Sequence, residues 1–159
     1  MTHLSHHVTA TEGEEWLMEV RSRSLRLWCI ISAVIVLAIH IFMGLVVDSG
    51  NTGASVTFID KLAFPLIGVI IAGVFLLGTR ARMRVSARGV EVRNLLAPRF
   101  YPWSQIYGLS FPKKAKWARL ELPDFEFVPI LAVQSADGES VVKTIAQFRE
   151  YEAQYMPQD

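Results

Sequence analysis

The pattern of apolar and polar positions changes character near residue 80. Before it lie two long apolar runs; after it, short alternating segments. Leu25 to Val47 reads LRLWCIISAVIVLAIHIFMGLVV and has no charge past Arg26. At ~1.5 Å per residue a helix of this length crosses ~30 Å of hydrocarbon. Leu62 to Gly78, LAFPLIGVIIAGVFLLG, is shorter but still within the range of a span. Two spans with a short linker predict a transmembrane hairpin. The first run is too long for the apolar stretch of a cleaved leader. It begins well inside the chain, and no small-x-small cleavage site follows it.

From Met83 the period shortens. Ala87-Arg88-Gly89 is a turn signal. Val90 to Leu95 alternates apolar and polar positions, as a half-buried strand does. Ala97-Pro98 interrupts the pattern, and short strands are expected near Arg99 to Trp103, Ile106 to Phe111 and Trp117 to Leu122. Phe127 to Val133 is more continuously apolar, which fits a central strand or one packed on both faces. Val141, Ile145, Phe148, Tyr151 and Tyr155 then fall on one face of an amphipathic helix, with Asp137 or Gly138 as its cap. About six short strands and a closing helix predict a small bent sheet or partial barrel plugged by that helix.

These patterns divide the chain into an N-terminal tail (1–24), a first span (25–47), an outer loop (48–61), a second span (62–79) and a sheet-rich domain (80–156). In the tail, Thr11 and Glu14 have capping-box spacing ahead of Trp16, Leu17 and Val20. The tail therefore either forms a short helix near the membrane or docks its apolar residues on the C-terminal domain. His3, His6 and His7 are the right residue types for a metal, but such tails are more often disordered.

Charge orients the hairpin. Arg21, Arg23 and Arg26 precede the first span, and Arg80, Arg82, Arg84 and Arg88 follow the second. The loop between them has only Lys61 against Asp48 and Asp60. An excess of arginine on the flanks marks the cytoplasmic side, so both termini are expected in the cytoplasm and the protein in the plasma membrane. Trp28 and Phe58 fall where interfacial aromatics belong, and Pro65 is expected in the first turn of the second helix. Gly68 and Ala72 have the small-xxx-small spacing that brings helices close.

Composition changes this picture little. Hydrophobic residues make up 52% and charged residues 19%, and the net charge of +1 gives no field for nucleic acid. Cys29 is the single cysteine, which excludes an internal disulfide and a cysteine metal cluster. His40 is the one ionisable group deep in a span: a proton relay or a ligand to a cofactor in a partner, or a neutral ring bonded to a backbone carbonyl. A relay needs a second His, Asp or Glu in the spans, and none is there.

Strand, Arg-Gly, strand, Pro-Trp and a closing helix, carried on two spans, form an order with a parallel. The residues are Val85, Ala87, Gly89, Val90, Val92, Arg93, Asn94, Leu95 and Leu96, then Pro102-Trp103 and Ile106. Trp117-Ala118, Leu120, Leu122-Pro123, Val128-Pro129, Leu131-Ala132 and Asp137-Gly138 continue it. Together they resemble the bacterial pleckstrin-homology-like (PH-like) domain proteins, in particular the actinobacterial low-molecular-weight protein antigen 6 family. The resemblance implies a PH-like barrel or bent sheet capped by the C-terminal helix. The expected class is thus α+β, a two-helix transmembrane hairpin followed by that domain. It implies no enzymatic activity and no catalytic residue.

No Ser-His-Asp grouping, glycine-rich phosphate loop or HExxH motif is present, and all four His lie outside the domain. No cofactor is expected. The candidate contacts are Lys113, Lys114 and Lys116 in one loop, with Arg80, Arg82 and Arg84, all suited to anionic lipid headgroups or a partner. The plainer reading makes the lysines a solvated loop and the arginines topology anchors. The expected role is a membrane-anchored adaptor or scaffold with protein partners. The alternatives are an accessory subunit of a larger respiratory or envelope-synthesis complex, or an anionic-lipid-binding module.

Overall fold

A computed structural model of the protein describes residues 15–47 and 57–157. The tail histidines, the Thr11–Glu14 pair and most of the loop after the first apolar run lie outside them. Arg26–Thr79 forms one compact unit. The described residues up to Leu25 and those from Arg80 to 157 form the other.

In the helical unit, α1 spans Arg23–Val46 and α2 spans Phe58–Leu77. Both are long and apolar enough to cross a membrane. α2 begins four residues earlier than the apolar run alone indicates. The reason is local: the Thr57 N–H donates to the Asp60 carboxylate at 2.8 Å, so the first turn tolerates Asp60 and Lys61. Pro65 therefore lies inside the helix rather than in its first turn. Gly44 of α1 packs at this point. A Cβ there would stand 2.8 Å from the Lys61 carbonyl and 3.1 Å from the Pro65 ring.

Gly68 and Ala72 are buried, as their spacing predicts, and Gly68 faces the His40 side chain. His40 Nδ1 lies 2.8 Å from the Val36 carbonyl. A carbonyl only accepts, so Nδ1 carries the proton, and the ring bonds a backbone group in its own helix.

In the sheet unit, β1 (Met18–Val20), β2 (Arg82–Ser86), β3 (Gly89–Arg93) and β4 (Pro98–Pro102) form a four-stranded antiparallel sheet in that order. β5 (Gly108–Ser110), β6 (Trp117–Glu121) and β7 (Phe127–Gln134) form a three-stranded one. The two are not closed into a barrel, so the bent-sheet form of the expectation holds. α3 (Glu139–Tyr155) packs on their shared core. That core holds Met83, Val85, Val90, Val92, Trp103, Leu120, Ile130, Val133 and Phe148.

The segment ahead of α1 is a strand, not a helix. Met18 pairs with Val85 and Val20 with Met83, so β1 completes an edge of a sheet whose other strands follow α2. The apolar residues of the tail thus dock on the C-terminal domain. Asp137 also acts away from its own helix. Gly138 holds the N-cap position of α3, while the Asp137 carboxylate accepts the Ser24 N–H at 2.9 Å, at the start of α1. Ser22 adds its hydroxyl as acceptor for the Leu25 N–H at 3.0 Å. Between them they satisfy N–H groups that a helix start leaves without intrahelical partners.

Candidate functional site

The strand register defines one end of the sheet domain. The chain leaves for α1 two residues after Val20 and returns from α2 to enter β2 at Arg82. Because Val20 pairs with Met83, and Arg82 with Arg93, both crossings occur at the same end of the four-stranded sheet. The turn Ser135–Asp137 belongs to this end too, since Asp137 holds the start of α1.

That placement bears directly on the lysine loop. The Ser135 N–H donates to the Lys116 carbonyl at 2.9 Å, and Trp117 pairs with Gln134. The loop of Lys113, Lys114 and Lys116 is therefore fastened next to the turn that holds α1. All three lysines are exposed, as is Arg80. Sequence places the lysines in one loop and the arginines after the second span; the strand register brings the loop and Arg80 to one end of the domain.

Arg82 and Arg84 are differently engaged. Arg82 Nη2 lies 3.3 Å from Glu91 Oε1, and the Glu91 side chain is only 5% exposed. Arg84 Nε lies 2.5 Å from Glu19 Oε2, and its guanidinium stands 5.4 Å from the centre of the Trp16 ring. Both arginines neutralise carboxylates, Arg82 that of Glu91 in β3 and Arg84 that of Glu19 in β1, which leaves Arg80 and the lysines as the accessible cations of the predicted set.

Glu19 and Asp137 make this end sensitive to acid. Burial raises the Glu19 carboxyl, but the hydrogen bonds and charges of Arg21 and Arg84 outweigh it and hold the group below its ordinary range. Burial likewise raises Asp137, and hydrogen bonds from Ser22, Ser24 and the Arg23 backbone outweigh that and lower it. A carboxylate with a depressed folded value contributes stability above its unfolded value of about 4 and loses it as pH falls through the folded one. Glu152 opposes them: burial raises it above the usual range despite Arg149, so its contribution is lost as pH rises.

We therefore expect β1 and the start of α1 to loosen below about pH 4 before the sheet core melts. Amide exchange of residues 17–25 followed down in pH checks this. Glu19→Gln with Asp137→Asn should make the protection of these amides, exchange relative to the unfolded chain at the same pH, nearly independent of pH.

A second feature escaped the sequence reading. The turn Pro123–Phe125 carries Asp124 and Phe125 at φ of 59° and 60°, and the Phe125 side chain is fully exposed. It borders a groove of about 540 Å³ with Tyr107, Arg119, Leu122 and Phe127. The Arg119 guanidinium stands 4.3 Å from the centre of the Phe127 ring. Glu121, Asp124 and Glu126 also line this groove, and an exposed aromatic in a left-handed backbone conformation beside it is a costly arrangement for a plain turn. In the sequence Pro123-Asp124 is a turn signal, and nothing there marks Phe125 as facing outward.

Trp103, by contrast, is a core residue. It is buried, donates its Nε1–H to the Ser86 carbonyl at 3.1 Å, and packs on Phe148 at 5.6 Å between ring centres. Among the described residues no three His, Cys, Asp or Glu side chains gather as a metal site.

Comparison with known proteins bears on the same residues. The family described as the bacterial PH domain matches residues 80–150. The match begins at Arg80 and so omits β1. An uncharacterized protein of Mycobacterium tuberculosis is 34% identical over 143 residues, covering 90% of this chain and 93% of the relative. An uncharacterized protein of Mycobacterium bovis matches to the same extent. No solved structure matches the chain.

Proposed function

Because the chain belongs to the family of these mycobacterial proteins and carries a bacterial PH domain over residues 80–150, we propose that it is a non-enzymatic, membrane-anchored adaptor. In this reading α1 and α2 form a two-span hairpin in the plasma membrane. Both termini are cytoplasmic, and the PH domain sits against the inner leaflet as a docking module for a protein partner. The narrower kinship with the low-molecular-weight protein antigen 6 family is part of the same proposal.

The observation that carries it is the pairing of β1 with β2. A strand from before the first helix hydrogen-bonds to a strand from after the second. Two spans between paired strands must begin and end on one side of a bilayer. The arginines at 21, 23, 26 and 80 favour the cytoplasm for that side. The lysine loop is then held at the inner leaflet, where each Lys near an anionic surface contributes about 1 kcal/mol. The groove beside Phe125 is the surface left for a partner.

Full-length protein in lipid discs tests the lipid contact. Amide exchange across residues 112–117 should be slower in discs containing phosphatidylglycerol than in pure phosphatidylcholine. Lys113→Glu, Lys114→Glu and Lys116→Glu together should abolish the difference. Equal exchange in both discs for the unaltered protein would remove lipid from the loop's role. Gentle-detergent purification from the native host addresses the alternative: a stoichiometric membrane complex would make the protein an accessory subunit.

A further inference from the structure

The β3–β4 hairpin turns through Asn94, Leu95, Leu96 and Ala97. Hairpin turns are usually built from Gly, Asn, Asp or Ser, which meet water at no cost. Here the tip is two leucines, 47% and 73% exposed. Together with Ala97, Phe127, Val128 and Pro129 they line an apolar groove that also contains Arg99. The turn is pinned in place: Asn94 Nδ2 donates to the Pro129 carbonyl at 2.8 Å, and Asn94 Oδ1 accepts the Leu131 N–H at 3.2 Å.

The register fixes which way this tip points. Arg82, the first residue of β2, pairs with Arg93, and Arg93 pairs with Pro98. The turn therefore extends beyond the end of the sheet at which the chain departs for α1 and returns from α2. β7 runs across this end. Asn94 is bonded at its Pro129–Leu131 stretch, and the turn that follows its last residue holds the start of α1. The leucines and the lysine loop thus belong to the same end of the domain, with exposed Arg99 beside the leucines.

We propose that the Leu95–Leu96 turn is a membrane wedge: it inserts below the phosphates of the anionic inner leaflet, with Arg99 and Arg80 meeting the headgroups. Exposed apolar residues beside an arginine are the composition of an interfacial anchor, because the side chains reach hydrocarbon while the guanidinium group stays with phosphate. The wedge sets a third point of attachment beyond the two helices and fixes the attitude of the domain on the bilayer. The inference rests on the membrane-spanning reading above.

Single nitroxide labels in full-length Cys29→Ala protein test it. They are placed at Leu96→Cys, at Gln105→Cys and at Ile70→Cys, in vesicles of phosphatidylcholine and phosphatidylglycerol. Gln105 is exposed beyond the opposite end of the sheet, where the Trp103 N–H meets the Arg88 carbonyl, and Ile70 is exposed midway along α2. Collision with oxygen marks hydrocarbon, and collision with a soluble nickel chelate marks water. The expected result is a Leu96 label several-fold more accessible to oxygen than to chelate, like Ile70, with Gln105 the reverse.

A Leu96 label that matches Gln105 while Ile70 stays oxygen-accessible overturns the wedge alone, and points to a protein rather than the bilayer as the turn's partner. A chelate-accessible Ile70 overturns the membrane-spanning reading and the wedge with it.

Discussion

Phe148→Ala lowers the stability of the sheet domain by about 3–5 kcal/mol, the cost of emptying a buried aromatic site. Phe148 is 0% exposed and is the largest fully buried side chain among the described residues. It lies in the middle of α3, with buried Val141 and Thr144 before it and Tyr151 and Tyr155 after it on the same face. Its ring meets Trp103, whose own Nε1–H is bonded to Ser86 in β2. Removing the ring opens a cavity between the helix and both sheets. Small domains have only about 5–15 kcal/mol in all, so the midpoint of denaturant unfolding should fall steeply. Phe148→Leu, which retains most of the volume, should cost less than about 1.5 kcal/mol. Near-ultraviolet circular dichroism during guanidinium unfolding, to which the buried Trp103 contributes, reads both. A Phe148→Ala protein within about 1 kcal/mol of the original would mean that α3 is not seated on the core.

Gly89→Ala is the second large effect, and its cause is close approach. A Cβ at Gly89 would stand 2.7 Å from Pro102 Cα and 2.9 Å from the Tyr101 carbonyl carbon. Both are backbone atoms of the neighbouring strand, so neither can rotate aside. β3 and β4 must separate at the pair Gly89–Pro102, and overpacking of this kind costs about 1–3 kcal/mol or more. Amide protection across residues 99–103 should fall together with the unfolding midpoint. Gly73→Ala is the matching control. Nothing lies within 4 Å of a Cβ there, so removing a helical glycine is expected to be neutral or to stabilise by up to about 1 kcal/mol.

The two glycines show what a sequence can and cannot convey. Gly89 reads as a turn residue from its neighbours, and a turn does stand there. The reason it must be glycine lies thirteen residues away in β4 and has no local trace. Val90 to Leu95 alternates, but the strand ends at Arg93 and Glu91 is buried along with Val90 and Val92, so the half-burial expected of it does not hold. Trp117 to Glu121 was legible from its alternation, because side chains one residue apart face opposite sides. The face of α3 was legible for the same reason at helical period.

β1 was not legible as a strand, because Met18–Val20 is only three residues long, too short for an alternation to show. Its partner lies on the far side of two apolar helices. The lysine loop was legible as charge, yet its place beside the start of α1 depends on bonds such as Ser24 to Asp137, 113 residues apart. Phe125 faces outward through backbone angles that no composition signal announces.

In the proposed topology, two spans return the chain to the cytoplasmic face, where β1 and β2 join. A dual reporter fused after Asp159 tests it most directly. One half is a phosphatase active only outside the cytoplasm, the other a fluorescent protein that matures only inside. Fluorescence without phosphatase activity is expected, in a fraction that resists alkaline carbonate extraction. Phosphatase activity without fluorescence, or release by carbonate, would contradict it.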